Sequence, residues 1–193
     1  MVGRFDIRPV RNLAEDGGLM AVIEAIQTTY LEADTASVEF SGIVATYEHL
    51  QLRFSARSTD GSGTYTSVNL QFGTGGGAVD TGTNYARHYM FGNSSTATGG
   101  GNTGINQIWL GTIDNSDANA AYYASQLVDI LDYANTNKNT TVQGVNGTLG
   151  SPEVRFNSGL WDATGAVDRI KLAPYAGSFT RGSEFTLYGL NSS

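Results

Sequence analysis

Along most of the chain, apolar and polar residues alternate one by one. Leu50, Leu52, Phe54 and Ala56 alternate with Gln51, Arg53, Ser55 and Arg57. That period of two marks a strand with one apolar and one polar face. Val68, Leu70 and Phe72 alternate with Asn69 and Gln71 in the same way. Further strands are expected at 84–91, 105–113, 125–133, 140–146, 153–161, 167–173 and 184–190. The separators are rich in turn residues: 59–63 (Thr-Asp-Gly-Ser-Gly), 73–83, 93–104 and Asn146-Gly147. Residues 19–31 are ambiguous. Leu19, Val22, Ile23, Ile26 and Tyr30 fit a helical face, whereas the β-branched and aromatic run 26–30 fits a strand. The favoured reading is a hairpin over 22–43, turning at Glu32-Ala33-Asp34-Thr35. No helix is demanded elsewhere, and no repeat of fixed period is present. The pattern predicts an all-β chain: an antiparallel β-sandwich of the jelly-roll kind.

Composition agrees with strands joined by polar turns. Among 193 residues, 25 Gly, 21 Thr, 16 Ser and 14 Asn make up 76, and only 15% of residues are charged. Hydrophobic residues are 40%, enough for a packed core. The net charge of −7 argues against a general nucleic-acid grip, which needs a basic surface facing phosphates. The absence of Cys excludes disulfides, Cys-ligated zinc and a thiol nucleophile, and two His, His49 and His88, argue against a His-rich metal site. No apolar run approaches the roughly 20 residues of a membrane span, and no secretory-signal pattern is expected at the N-terminus. Residues 1–20 differ from the rest. Through residue 12, Arg4, Arg8 and Arg11 against Asp6 give a local +2, leaving −9 for the rest of the chain (−7 minus +2). Pro9 and Gly17-Gly18 discourage a long helix there. The organisation expected is a basic arm at 1–20 and a β-sandwich at 21–193. On the arm, Arg4, Arg8 and Arg11 are candidates for a partner's carboxylates, and Phe5 and Ile7 for apolar pockets.

Several motifs invite a chemical reading. Ala78-Val79-Asp80-Thr81-Gly82-Thr83 resembles the aspartic-protease signature, whose two aspartates share a proton. Here one aspartate follows Gly73-Thr74-Gly75-Gly76-Gly77, and a mobile loop between strands is the better reading. The same glycines lack the Lys-Ser/Thr of a phosphate loop and the following helix of a dinucleotide turn. Asp114-Asn115-Ser116-Asp117-Ala118-Asn119 spaces oxygen ligands as calcium loops do, without the turn glycine or the distal Glu. Asp129 and Asp132 are possible paired acids, but strand parity puts them on opposite faces. Ser, Asp and His88 are all present, yet no nucleophile elbow stands between a strand and a helix. Trp109 and Trp161 sit in strands and are expected in the core. Glycosylation triplets beginning at Asn93, Asn139, Asn146 and Asn191 follow from a composition rich in Asn, Ser and Thr. The expectation is a protein without enzymatic activity, cofactor or metal.

An ordered series of segments carries a more specific signal. It runs through Val38-Glu39-Phe40-Ser41-Gly42-Ile43, Tyr47-Glu48-His49-Leu50-Gln51-Leu52-Arg53 and Val68-Asn69-Leu70-Gln71-Phe72. It continues through Thr83-Asn84-Tyr85-Ala86-Arg87-His88, Asp129-Ile130-Leu131-Asp132-Tyr133-Ala134-Asn135 and Ser158-Gly159-Leu160-Trp161, ending at Gly182-Ser183-Glu184-Phe185-Thr186-Leu187-Tyr188-Gly189-Leu190. The series resembles a family of tailed-bacteriophage virion structural proteins, over residues 22–190. The family often has Asn-Gly-Asp-Thr-Gly before the Asn-Tyr strand. Here that stretch is longer and richer in glycine. The resemblance implies a β-sandwich mounted on a phage particle and brings no catalytic residues with it. The function expected is capsid decoration: a cement protein on the outer head surface, bound to the major capsid protein and to itself, with a trimer favoured. It would have no nucleic-acid or membrane partner. The alternative is a tail- or fibre-associated adsorption module that binds a host glycan through 73–83 and 93–104.

Overall fold

The alternating segments form strands, and no helix occurs among the described residues. The computed structural model describes residues 22–191. The strands are β1 (Val22–Tyr30), β2 (Val38–Ser41), β3 (His49–Ala56), β4 (Tyr65–Gly73), β5 (Tyr85–Asn93) and β6 (Ala97–Ile105). After them come β7 (Ile108–Asp114), β8 (Ala124–Leu131), β9 (Thr140–Thr148), β10 (Glu153–Trp161), β11 (Arg169–Pro174) and β12 (Glu184–Asn191). They build an eight-stranded sheet in the order β1-β12-β3-β8-β9-β10-β5-β6 and a four-stranded sheet in the order β2-β11-β4-β7. Every pairing within both sheets is antiparallel. The protein is therefore all-β, with two antiparallel sheets packed as a sandwich. The arm at 1–20, and with it Arg4, Phe5, Ile7, Arg8 and Arg11, lies outside the described residues.

The core fills the space between the sheets. The long sheet supplies Leu50, Leu52, Phe54, Val128, Ile130, Phe185 and Leu187, and the short sheet supplies Phe40, Val68, Leu70, Phe72, Ile170 and Leu172, all buried. Phe185 ties two layers of rings together, stacking on Phe54 at 5.2 Å and meeting Phe179 edge-on at 4.8 Å.

Three expectations need correction. Residues 22–43 do not form a hairpin: β1 pairs with β12 and β2 with β11. The chain changes sheets between them, held by Leu31 N donating to Ser183 O and Thr35 N to Phe179 O. Crossing over lets Val38 and Phe40 cover the core from the opposite side. The helical face is not realised: a β-bulge between Ala25 and Gln27 makes Ile26 the extra residue, and Ile26 packs on the core while Ile23 is exposed. Second, Asn146-Gly147 is no turn. Both residues lie within β9, and Asn146 is buried and donates to Thr112 O at 2.8 Å. Third, 93–104 is mostly strand. β6 pairs along β5 although its sequence, ATGGGNTGI, shows no alternation. Its glycines make room for β5 side chains: a Cβ on Gly101 would lie 2.4 Å from the His88 ring, and one on Gly100 2.9 Å from the Tyr89 hydroxyl.

Candidate functional site

The residues singled out by motif turn out to be structural ties. Asp80 accepts hydrogen bonds from Trp161 Nε1 (2.8 Å), Asn84 Nδ2 (2.9 Å) and Gly82 N (2.8 Å). These bonds, the indole's first, hold its carboxyl below the usual carboxylate range. Tyr85, buried, donates its hydroxyl to Asp80 O, and burial raises that hydroxyl's pKa. Asp80 N donates to Phe72 O, and Gly73 bridges to Val79. The protease-like motif is thus a latch that pins the 73–84 loop onto β4, β5 and β10, rather than a loop left mobile. Trp161 is buried as expected, between Phe72 and Tyr85.

The calcium-like loop is organised around a cation that the chain itself provides. Arg57 Nη1 donates to the carbonyls of Asn119 and Tyr122, and Nη2 to that of Ala118. Asp114 Oδ1 accepts from Gly150 N, and Asn115 Nδ2 donates to Ser62 O. The three loop carbonyls and Asp114 Oδ1 are therefore spent on protein donors, while Asp114 Oδ2 is buried without a hydrogen bond.

Asp129 and Asp132 are separated, but by more than strand parity. Asp129 lies in β8 and accepts from Gln51 Nε2 at 2.7 Å. Asp132 lies just past the end of β8 at φ 50°. Its carboxylate pairs with Lys138, which holds its pKa down, and its N–H donates to His49 Nδ1 at 3.0 Å. Donor atoms of Glu48, His49 and Asp132 gather within 4.8 Å of one another. The backbone bond to Nδ1 and the ammonium on Asp132 already occupy two of them. Ser158 lies beside His88 in the β10–β5 register, which is the start of a hydrolytic pair. The carboxylate in the same row, Asp129, is three strands from His88, roughly 14 Å at about 4.8 Å per strand. No triad forms.

The arrangement that stands out is one that motif reading missed. In β10 the side chains facing the short sheet are Glu153, Arg155 and Asn157, and those facing solvent are Val154 and Phe156, 53% and 55% exposed. β5 is mixed: Arg87 is buried on the same face as Tyr85, Tyr89 and Phe91, and Met90 is 58% exposed on the other. In β9, Asn146 faces inward and Val145 outward. Several inward polar groups have partners, whereas both side-chain polar atoms of Asn157 are buried without a hydrogen bond. Glu153 Oε1 accepts from Thr112 Oγ1 at 2.7 Å and from Arg155 at 2.9 Å. Gln126 Nε2 donates to Leu110 O, and Asn146 to Thr112 O. They serve the backbone and side chains of β7, whose ladder with β4 is broken by a bulge at Val68/Asn69.

Arginines and aromatics complete this inner side. The Arg87 guanidinium lies 3.7 Å from the Trp109 ring centre and 5.1 Å from that of Tyr89. Arg155 lies 5.2 Å from Tyr89 and 4.5 Å from Phe91. Burial lowers the Arg87 pKa. Trp109, expected in the core, is half-buried, with Arg87 on its face and Tyr175 at its edge, 5.7 Å between centres. These contacts rivet β5 to the edge strand of the short sheet and β10 to β5.

On the outer side, the registers align four side chains in a row: Leu127 (β8), Val145 (β9), Phe156 (β10) and Met90 (β5). The next row is Asp129, Gln143, Ser158 and His88. Between the rows is an open, mainly apolar depression of about 500 Å³. Neighbouring Val154 and Leu149 extend it. Apolar surface this continuous marks a contact site. The sequence signal was present in β10, where Val154, Phe156 and Leu160 alternate with Glu153, Arg155 and Asn157. Period two groups those residues by face without saying which face is inside.

Compared with known proteins, the chain matches no family model, and no curated protein matches it.

Proposed function

We propose that the chain is a non-enzymatic assembly subunit, a decoration protein on the outer head surface of a tailed bacteriophage, bound to the major capsid protein. The observation that carries this reading is the apolar outer face of β8, β9, β10 and β5 on a sandwich whose motif residues are spent on structural ties. A surface of that kind serves association rather than turnover. The strand order supports reading the fold as a jelly roll. β1-β12-β3-β8 against β2-β11-β4-β7 is the interleaving of an eight-stranded jelly roll, with β5-β6 and β9-β10 as two additions to one sheet. Jelly rolls recur in capsid and lectin domains, so fold alone does not choose between them. The resemblance to virion proteins favours the former. In this reading the basic arm, residues 1–20 with Arg4, Phe5, Ile7, Arg8 and Arg11, reaches across a capsid seam. The acidic body faces solvent, and many small contacts add by multivalency. A trimer is the assembly that the sequence-based reading favours.

One observation favours a second reading, a glycan-binding adsorption module. Tyr175 is 64% exposed beside Trp109, an aromatic pair of the sort that sugar rings stack on. Gold-labelled antibody on purified particles tests both. Label over the head, lost when residues 1–20 are deleted, is the expected result. Label at the tail tip moves the assignment to adsorption, and particles without label overturn both.

A further inference from the structure

We infer that the outer face of β8-β9-β10-β5 is the contact surface of a two-fold dimer of this chain, packed sheet on sheet about an axis that runs between β9 and β10 parallel to the strands. The inference stands on the face itself and does not depend on where the protein acts; it departs from the trimer of the sequence-based reading and leaves any capsid contact to the arm.

Burial on this face is inverted in β10. A strand with Glu, Arg and Asn inside and Val, Phe and Leu outside wastes its apolar face in water unless something covers it. β10 has that pattern over 153–157; β5 shares it at Arg87 and Met90 and β9 at Asn146 and Val145, while Tyr85 and Val142 of those strands stay in the core. Apolar residues on four neighbouring strands at matched register make this a designed surface rather than scattered exposure.

Self-complementarity of the face chooses its occupant. A two-fold axis between β9 and β10 lays β9 on the partner's β10 and β8 on the partner's β5. Each row then meets itself reversed. In the apolar row, Val145 faces a second Phe156 and Leu127 a second Met90. In the polar row, Gln143 faces a second Ser158 and Asp129 a second His88. Asp129 uses Oδ1 for Gln51, which leaves its other oxygen to accept the imidazole N–H. The outer rows pair small with large: Gly147 meets a second Val154, and Thr141 a second Leu160. The carboxylate and the imidazole of this face fall at positions that the axis exchanges. An isologous interface requires that match, whereas an unrelated partner has no reason to produce it.

The face also has the size of an interface. Four strands about 4.8 Å apart and nine residues about 3.3 Å apart span roughly 19 by 30 Å. With side-chain relief, that approaches the roughly 800 Å² per partner of a standard stable interface.

The chain has no cysteine, which makes the test clean. Met90→Cys and Leu127→Cys are made as separate full-length variants and mixed, then treated with a short bismaleimide. The two-fold face brings position 90 of one copy over position 127 of the other, about 10 Å across the sheets. It keeps like positions roughly 14 Å further apart along the sheet. The mixture should cross-link and neither variant alone should. Sedimentation of the unmodified chain should show a monomer–dimer equilibrium. Phe156→Glu should raise its dissociation constant at least about thirtyfold, the effect of losing a central aromatic anchor. Circular dichroism and the thermal midpoint of the Phe156→Glu monomer should match those of the unmodified monomer, since position 156 lies outside the core. Sedimentation as a monomer at every concentration overturns the inference. So does a dimer whose mixed variants do not cross-link, or one in which Met90→Cys cross-links to itself. Head labelling reports separately on the decoration reading, so the two can fail independently.

Discussion

In β3 and β12 the side chains facing the short sheet are Leu50, Leu52, Phe54, Phe185 and Leu187, and Arg53, Ser55, Thr186 and Tyr188 face out. A few strands along the same sheet, in β10 and β5, Glu153, Arg155, Asn157 and Arg87 face in while Val154, Phe156 and Met90 face out. The backbone ladder is continuous through both halves, so pairing does not cause the difference. Position does. The first half lies over the body of the short sheet and has an apolar layer to pack on. The second runs past the edge strand β7, where a bulged backbone and Thr112 offer hydrogen-bond partners. One half stores its apolar burial inside the subunit. The other keeps Tyr85, Val142 and Trp161 in the core but turns Val154, Phe156 and Met90 outward, where only association can use them.

This contrast predicts unequal responses to substitution. Leu52→Ala in β3 removes a fully buried side chain and should cost about 2–5 kcal/mol in denaturant unfolding. Arg87→Ala removes the guanidinium between Trp109 and Tyr89 and its bonds to Asn102. It should cost about 2 kcal/mol, with hydrogen exchange rising in β5 and β6 and sparing β3 and β12. Arg87→Lys should not rescue it, because the flat, forked contact is lost. Asp80→Asn weakens the latch on Trp161 and should cost about 1–3 kcal/mol near neutral pH. The folded-state pKa of Asp80 is depressed below 3.8. Its contribution is therefore fully present above that value and is lost as pH falls through the folded pKa. Stability curves of Asp80→Asn and the parent should converge in acid. Phe156→Ala should change the stability of the monomer least, by less than about 0.5 kcal/mol, as for an ordinary surface site. A Phe156→Ala cost equal to that of Leu52→Ala would erase the contrast.

Much of this architecture was legible in the sequence, and the gaps have physical causes. The strand at 153–161 coincides with β10 residue for residue, because clear alternation and flanking turns set it. β6 was unreadable: Gly99-Gly100-Gly101 carry no side chains to alternate, and the strand exists because its backbone completes the β5 ladder. The supposed hairpin at 22–43 failed because apolar patterning identifies strands without saying which sheet receives them. The outer face of β10 was hidden by the same limit. Alternation groups Val154 with Phe156, and assigning that group inward or outward requires knowing what lies beneath. Trp109 shows this too: its strand was expected, and its half-buried place under Arg87 was not. Asp80 and the 114–119 loop were legible as clusters of polar ligands, but their partners, Trp161 and Arg57, come from distant strands.

The most direct measurement is hydroxyl-radical footprinting of the unmodified chain across a concentration series, read at Met90, Phe156 and Tyr188. The account predicts that Met90 and Phe156, solvent-facing in the single subunit, become protected as concentration rises, while Tyr188 on the other half of the sheet stays equally reactive. Met90 and Phe156 reactive at every concentration, or Tyr188 protected in their place, would contradict it.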